Sequence, residues 1–198
     1  CLVIDSENAL DDEFMSKIGV DTENNYKYVS VTTIPEVTKI VSSFLQKYKD
    51  QVGEAEDAPQ VLILIDSLDM LMTETEVDHF SKGNTKGDQG QKNKQLKAAL
   101  RTFVQAIKSL NVAMICTSQV YKNQDLLNGE GVWIVSDAVK YAASQIILIQ
   151  KRKLKDESAG AKVGDVAGVR MICEGYKTRF TRPFQRVEVE VPYETGMD

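Results

Sequence analysis

The chain has 198 residues, of which 42% are hydrophobic, so it suits one domain with a well-filled core and does not look disordered. Its net charge of −5 excludes a uniformly basic nucleic-acid-binding surface, and any DNA contact must come from local basic loops. Its apolar runs are too short to span a bilayer, and its three cysteines lack metal-ligand spacing. We therefore expect a soluble cytoplasmic protein without a membrane partner.

The first predicted element is a short buried strand over residues 2–4. It delivers Asp5, Ser6 and Glu7 at its end, where ligands bind in open α/β sheets, so the two carboxylates are candidates for metal and water chemistry. An acidic surface loop is the alternative interpretation. Because Cys1 already lies within this apolar segment, we expect the chain to be an internal fragment of a longer protein.

The next predicted elements are a helix, a strand and a second helix. Residues 11–18 form a short amphipathic helix closed by Gly19, and residues 26–31 favour a strand. Thr33 and Glu36 are spaced as a capping box, which predicts a helix through Tyr48. Its apolar stripe comprises Val37, Ile40, Val41, Phe44, Leu45 and Tyr48.

The central segment is the apolar run over residues 61–65, which turns acidic at Asp66 and Asp69 with Ser67 between them. Such an uninterrupted run is typical of a strand buried on both faces of a parallel sheet. In P-loop nucleotide hydrolases, an aspartate at this place holds the water shell of Mg²⁺, often beside a hydroxyl residue. Asp66 and Ser67 fit that role, although a core strand that ends in a polar turn has the same pattern.

Residues 73–93 contain three glycines, four acidic residues and several lysines, which predicts a long mobile loop. Its GNTKGDQGQK portion is not a phosphate loop, because no Gly-Lys-Ser/Thr follows and no strand precedes it. Its lysines and the adjacent Lys94 either contact a phosphate backbone or are simply solvated. These candidates are Lys82, Lys86, Lys92 and Lys94.

A strong helix from Leu96 to Leu110 leads into a buried strand over residues 112–116, which ends at Thr117, Ser118 and Gln119. Residues 120–137 then predict a second irregular loop. Its Tyr121, Lys122 and Trp133 could stack on and neutralise a single nucleic-acid strand, while Trp133 could instead anchor the loop to the core.

The last third predicts a helix over residues 138–144 and strands over 145–150, 169–173 and 186–191 that close the sheet. A hairpin-type connection covers residues 154–165. Lys177 and Arg179 would face the same side if their segment is extended.

Five blocks of the sequence occur in the order found in RecA-family recombinases: CLVIDSENALDDEF, LILIDSLDML, MICTSQ, SDAVKYAASQIILIQKR and GYKTRFTRPF. The resemblance covers nearly the whole chain and is strongest to bacterial RecA and to phage recombinases of the UvsX kind. It implies that residues 1–198 form an α/β, RecA-like P-loop NTPase core. This core has a mainly parallel twisted sheet flanked by helices, with a C-terminal antiparallel extension.

The resemblance also implies roles for residues near the predicted phosphates. Glu7 matches the catalytic glutamate that activates the attacking water, and Asp66 matches the aspartate associated with Mg²⁺, with Ser67 beside it. Gln119 matches the glutamine that senses the γ-phosphate of ATP and signals to the loop that follows.

Other matches concern adenine, the neighbouring subunit and DNA. Asp11 and Phe14 fall where the family contacts adenine. Lys177 and Arg179 match two basic residues that reach the nucleotide of the neighbouring subunit, where bacterial RecA has lysine at both positions. Residues 73–93 and 120–137 correspond to the two DNA-binding loops, but both differ from those of bacterial RecA, so individual contacts do not transfer.

The resemblance thus predicts a DNA-dependent ATPase that uses ATP and Mg²⁺, forms filaments on single-stranded DNA and exchanges strands with double-stranded DNA. No G-x-x-x-x-G-K-[ST] motif occurs in the sequence, so we expect the isolated chain to be a poor ATPase. Two alternatives remain: a hexameric helicase core of the same fold, or a non-catalytic recombinase paralogue or mediator that binds DNA.

Overall fold

In the computed structural model, the described residues are 1–17, 19–52, 57–85, 90–122, 133–134, 136–155 and 165–194. The chain divides into two compact units, Cys1–Ala142 and Ala143–Asp198. Each unit has its own sheet, and each is described by itself.

The first unit contains a parallel sheet of four strands in the order β2-β1-β3-β4, covered by helices. This arrangement confirms the predicted α/β class with a mainly parallel sheet. The elements of the unit are β1 (Leu2–Asp5), α1 (Asp12–Lys17), β2 (Lys27–Ser30), α2 (Ile34–Val52), β3 (Val61–Asp66), α3 (Glu74–Ser81), α4 (Gln91–Ile107), β4 (Val112–Cys116), β5 (Tyr121–Lys122), β6 (Trp133–Ile134) and α5 (Asp137–Ala142).

The core of this unit lies between the two central strands and helices α2 and α4. Both central strands are apolar up to their terminal aspartates, and Ile4, Ile63 and Ile65 are fully buried. Helix α2 packs on them through its predicted stripe, and α4 packs through Leu96 and Phe103 among others. The three-and-four spacing of apolar residues therefore predicted both faces that the helices bury.

The predicted capping box of α2 is present. The Thr33 hydroxyl accepts from the N–H of Glu36, and the Glu36 carboxylate accepts from the N–H groups of Thr33 and Thr32. Those two N–H groups hold the pKa of Glu36 below its ordinary value. Gly19 has φ of +90°, as expected of a left-handed residue that follows a helix.

The prediction of a continuous loop over residues 73–93 is wrong, because α3 occupies its first part. A second capping box begins this helix: the Thr73 hydroxyl accepts from the N–H of Glu76, whose carboxylate accepts from the N–H of Thr73. Helix α3 buries none of its side chains, so it lacks the apolar stripe by which we recognised the other helices. Helix α4 also starts earlier than predicted, at Gln91, because its first turn is polar.

We expect Thr73→Ala to lower the free energy of unfolding by about 1 kcal/mol, because it removes the cap of α3 and leaves the N–H of Glu76 without its acceptor. Urea denaturation measures this loss. Thr102→Ala is the matched control, since the exposed Thr102 hydroxyl donates only to the carbonyl of Ala98 within α4. Equal losses for the two variants would show that the cap contributes nothing specific.

The second predicted loop, residues 120–137, also contains regular structure. Strands β5 and β6 pair antiparallel, with Tyr121 opposite Ile134 and Lys122 opposite Trp133, and α5 begins at Asp137. The intervening residues 123–132 lie outside the described part of the chain, as do residues 86–89 of the first loop. Strands of two residues are too short to give an alternating apolar pattern.

The second unit is an antiparallel sheet of three strands, β7 (Gln145–Lys155), β8 (Val166–Thr178) and β9 (Arg186–Pro192), in that order. It confirms the predicted antiparallel extension. The three strands pair only with one another among the described residues, so the prediction that they close the parallel sheet is wrong. Strands β7 and β8 are also longer than predicted, because charged residues such as Lys151 and Arg170 lie within them.

The three cysteines are free thiols. Among the residues that the structure describes, no helix is long and apolar enough to cross a membrane.

Candidate active site

The carboxyl ends of three neighbouring strands form one edge of the parallel sheet. Asp5 at the end of β1 is in register with Asp66 at the end of β3, and Ile65 is in register with Cys116 at the end of β4. The polar residues that follow these strands therefore lie side by side.

Asp5 is a structural residue of this edge and does not face solvent. Its carboxylate is fully buried and accepts five hydrogen bonds of 2.8 to 3.2 Å, from the N–H groups of Glu7, Asn8, Ala9 and Leu10 and from the Tyr28 hydroxyl. Burial acts to raise the pKa of Asp5, but the hydrogen bonds outweigh it, and the pKa lies below its ordinary value of 3.8. The sequence made Asp5 a candidate for metal and water chemistry, whereas in the structure its hydrogen bonds hold the loop that carries Glu7 in place.

Because the folded state lowers the pKa of Asp5, the stabilisation is complete at neutral pH and is lost as the pH falls through that lowered value. We expect Asp5→Asn to lower the free energy of unfolding by about 2 kcal/mol at pH 7, since a neutral amide replaces a charged acceptor of N–H groups. The difference between variant and wild type should shrink below pH 3.8. Urea titrations at several pH values measure it, with the exposed Asp50→Asn as control, and a difference independent of pH would contradict this account.

Two serines tie the ends of β1 and β3 together. The Ser6 hydroxyl donates to the carbonyl of Ser67 at 2.7 Å and accepts from its N–H at 3.0 Å. The buried Ser67 hydroxyl donates to Oε1 of Glu7 at 2.7 Å. The Asp66–Ser67 peptide bond is cis. Ser67 thus orients the exposed carboxylate of Glu7, which is a role that the sequence did not assign to it.

Asp66 is half-buried, and its Oδ1 accepts a hydrogen bond from the Thr117 hydroxyl at 2.5 Å. Mg²⁺ usually keeps several waters and takes one or two protein carboxylates together with phosphate oxygens. A single carboxylate held in place by a hydroxyl fits such a contact through water. Within the described ranges, no three His, Cys, Asp or Glu side chains are grouped so that they could hold a metal ion by themselves.

The end of β4 is attached to the segment after β3 by a carboxylate that sequence reasoning missed. Oδ2 of Asp69 accepts from the N–H of Gln119 at 2.6 Å, and the Asp69 carbonyl accepts from Nζ of Lys92 at 2.5 Å. At the end of β4, burial raises the pKa of Cys116 to about 12, so its thiol is protonated at neutral pH.

The two predicted adenine contacts lie at the start of α1. The carbonyl of Asp11 accepts from the N–H of Met15 and begins the helix. Phe14 lies within α1, but its side chain falls outside the described atoms. Their role toward adenine stays a prediction.

The lysines predicted to contact DNA occupy different settings. Lys82 forms an exposed ion pair with Asp78 at 2.7 Å, and such pairs contribute little to stability. Lys94 is exposed on α4, while Lys92 contacts Asp69 as described. Lys86 lies outside the described residues, and so do the side chains of Tyr121, Lys122 and Trp133.

Lys177 and Arg179 belong to the second unit, at the end of β8. Lys177 is half-buried and pairs with Ile146 of β7, whereas Arg179 is exposed beyond the last strand residue, Thr178. The Thr178 hydroxyl accepts from the N–H groups of Phe180 and Thr181 and turns the chain there. The extended conformation that our prediction required therefore ends between the two basic residues.

The parallel sheet, its helices and the carboxylates aligned at one edge define an α/β protein of the RecA-like class. The family model of the RecA N-terminal domain matches residues 1–198. The chain therefore belongs to the RecA family.

Three curated relatives, each named Protein RecA, illustrate the similarity. The protein from Aquifex aeolicus is 26% identical over 200 residues, which are 98% of this chain and 51% of the relative. The protein from an Arthrobacter species is 26% identical over 203 residues, or 98% of this chain and 50% of its own length. The protein from Pseudomonas fluorescens is 22% identical over 204 residues, or 100% and 51%. The chain thus spans about half the length of these relatives.

Proposed function

We propose that the protein is an ATP-dependent recombinase that assembles as a filament on single-stranded DNA, pairs it with double-stranded DNA and exchanges strands. The observation that supports this most is the grouping of Glu7, Ser67, Asp66 and Gln119 at the ends of adjacent strands, in a chain matched along its whole length by the RecA N-terminal domain. Its site of action is the cytoplasm, or that of the host if a phage encodes it.

In this proposal Glu7 acts as the base that orients and activates the water attacking the γ-phosphate. The hydrogen bond from Ser67 occupies Oε1 of Glu7 and limits rotation of the carboxylate, so that the second oxygen keeps a defined direction. Such fixed orientation is a general requirement of acid–base catalysis.

Bound Mg²⁺ would neutralise charge on the β- and γ-phosphates of ATP. Asp66 would hold its water shell, with Thr117 fixing the direction of the carboxylate. Asp11 and Phe14 would contact adenine, and Gln119 would contact the γ-phosphate.

Lys177 and Arg179 would reach the nucleotide of the adjacent subunit and stabilise the charge that develops on the γ-phosphate. Hydrolysis therefore requires a filament in this proposal. The DNA contacts would come from residues 73–93, the adjacent Lys94 and residues 120–137. The candidates are Lys82, Lys86, Lys92, Lys94, Tyr121, Lys122 and Trp133.

The test is ATP hydrolysis by the full-length protein with and without single-stranded DNA, together with electron microscopy of the same samples. We expect DNA to increase hydrolysis and filaments to coat the DNA. Rings that unwind duplex DNA would favour the helicase alternative. DNA binding without any hydrolysis would favour the non-catalytic paralogue.

A further inference from the structure

We propose that Asp69 is a positioning residue that links Gln119 to the start of α4, so that nucleotide contact at Gln119 is transmitted to both DNA-binding segments, residues 73–93 and 120–137. This inference rests on the proposed function, because it assigns a partner to the proposed nucleotide sensor. Lys92 completes the link.

The first half of the link is the bond from the Gln119 N–H to Oδ2 of Asp69, at 2.6 Å. Bonds from an N–H to an ionised carboxylate are shorter and stronger than those between neutral groups. Gln119 directly precedes the segment 120–137, so its backbone position sets where that segment begins. Asp69 thereby holds the residue from which the second DNA-binding segment starts.

The second half of the link is the bond from Nζ of Lys92 to the Asp69 carbonyl, at 2.5 Å. Lys92 lies in the first turn of α4, at the end of the segment 73–93. One residue, Asp69, is therefore bonded through its carboxylate to one segment and through its carbonyl to the other.

The surrounding backbone makes this connection stiff. The N–H of Leu68 donates to the carbonyl of Thr117, and the N–H of Thr117 donates to the carbonyl of Ile65, each at 3.0 Å. These bonds continue the pairing of β3 and β4 past the last strand residues. A displacement of Gln119 toward a bound γ-phosphate therefore either breaks the bond to Asp69 or moves Asp69 and Lys92 with it.

The link is suited to coupling more than to stability. Gln119 is exposed, so water can replace the carboxylate when the bond is lost, and the energetic cost of losing it is small. Loss of the bond instead changes how strongly nucleotide binding affects DNA binding, and this effect is measured as a coupling free energy.

The experiment measures the affinity of the full-length protein for a fluorescent oligothymidine by anisotropy, with a non-hydrolysable ATP analogue and with ADP. We expect Asp69→Ala to reduce the ratio of these two DNA affinities about tenfold, because the affinity with the ATP analogue falls toward the value with ADP, while the affinity with ADP changes less than about twofold. Asp69→Asn keeps an oxygen acceptor and should retain most of the ratio. Asp50→Ala, which removes an exposed carboxylate from α2, should leave the ratio unchanged.

Lys92→Met provides a second variant in case Asp69→Ala does not fold. A lysine that only contacts DNA phosphates would weaken DNA binding equally in both nucleotide states, whereas a lysine of this link should lower the ratio. A wild-type ratio in Asp69→Ala, or in Lys92→Met if Asp69→Ala does not fold, would overturn this inference and leave the proposed function standing. If the DNA affinity of the wild-type protein is the same with the ATP analogue and with ADP, both the proposed function and the link are overturned.

Discussion

Replacing Glu7 with Gln is expected to lower the rate of DNA-dependent ATP hydrolysis by about 100-fold or more, while ATP binding and filament assembly persist. The amide cannot take a proton from water, but its oxygen can still accept the hydrogen bond from Ser67, so the loop should keep its conformation. Steady-state hydrolysis and nucleotide binding, measured on the same preparation, separate the two effects. DNA should also remain bound for longer if, as the proposed function implies, hydrolysis releases it.

The matched control is Glu13→Gln, which neutralises an exposed carboxylate on α1. It should hydrolyse ATP at the wild-type rate. Wild-type turnover by the Glu7→Gln variant would show that Glu7 is not the catalytic base. A loss of ATP binding would show that Glu7 contributes to binding ATP instead.

Replacing Lys177 or Arg179 with Ala is expected to lower hydrolysis by about 1000-fold, the size of effect seen when a charge that stabilises phosphoryl transfer in trans is removed. Unlike Glu7→Gln, these variants should also lose ATP-dependent assembly on DNA, since the proposed contact joins two subunits. Light scattering and hydrolysis assays follow the two losses. Lys151→Ala removes an exposed cation from β7 of the same sheet and should change neither.

The parts of the fold that bury apolar surface could be predicted from the sequence. The run at residues 61–65 was recognisable as β3 because every residue in it is apolar, and the stripe from Val37 to Tyr48 identified α2. The carboxylates at the ends of β1 and β3 were also visible, since a strand in a parallel sheet ends where the chain turns polar. The alignment of Asp5 with Asp66 confirms that reasoning.

Elements that bury little could not be predicted in this way. Helix α3 has no buried side chain, and its signal was the Thr73–Glu76 capping box, the same motif that we recognised before α2 but did not apply here. Strand β8 continues to Thr178 because it pairs with β7 up to that residue and with β9 as far as Glu174, which no local pattern reveals. These elements depend on backbone pairing and capping, whereas our reasoning relied on apolar periodicity.

The finer geometry of the site was also out of reach of the sequence. Ser6 and Ser67 are 61 positions apart, and Asp69 and Gln119 are 50 apart, so only the folded sheet brings each pair into contact. Residue types alone could not distinguish the buried Asp5 from the exposed Glu7, since both are carboxylates at the end of one strand.

The central claim, a nucleotide site shared between adjacent subunits, is tested most directly by mixing the Glu7→Gln variant with the Lys177→Ala or Arg179→Ala variant. Some interfaces in a mixed filament pair an intact Glu7 with intact basic residues, so part of the DNA-dependent hydrolysis should return on mixing. Mixed filaments are verified by labelling the two variants with different fluorophores. If both variants join the same filaments and the mixture stays as inactive as either alone, the shared site is contradicted.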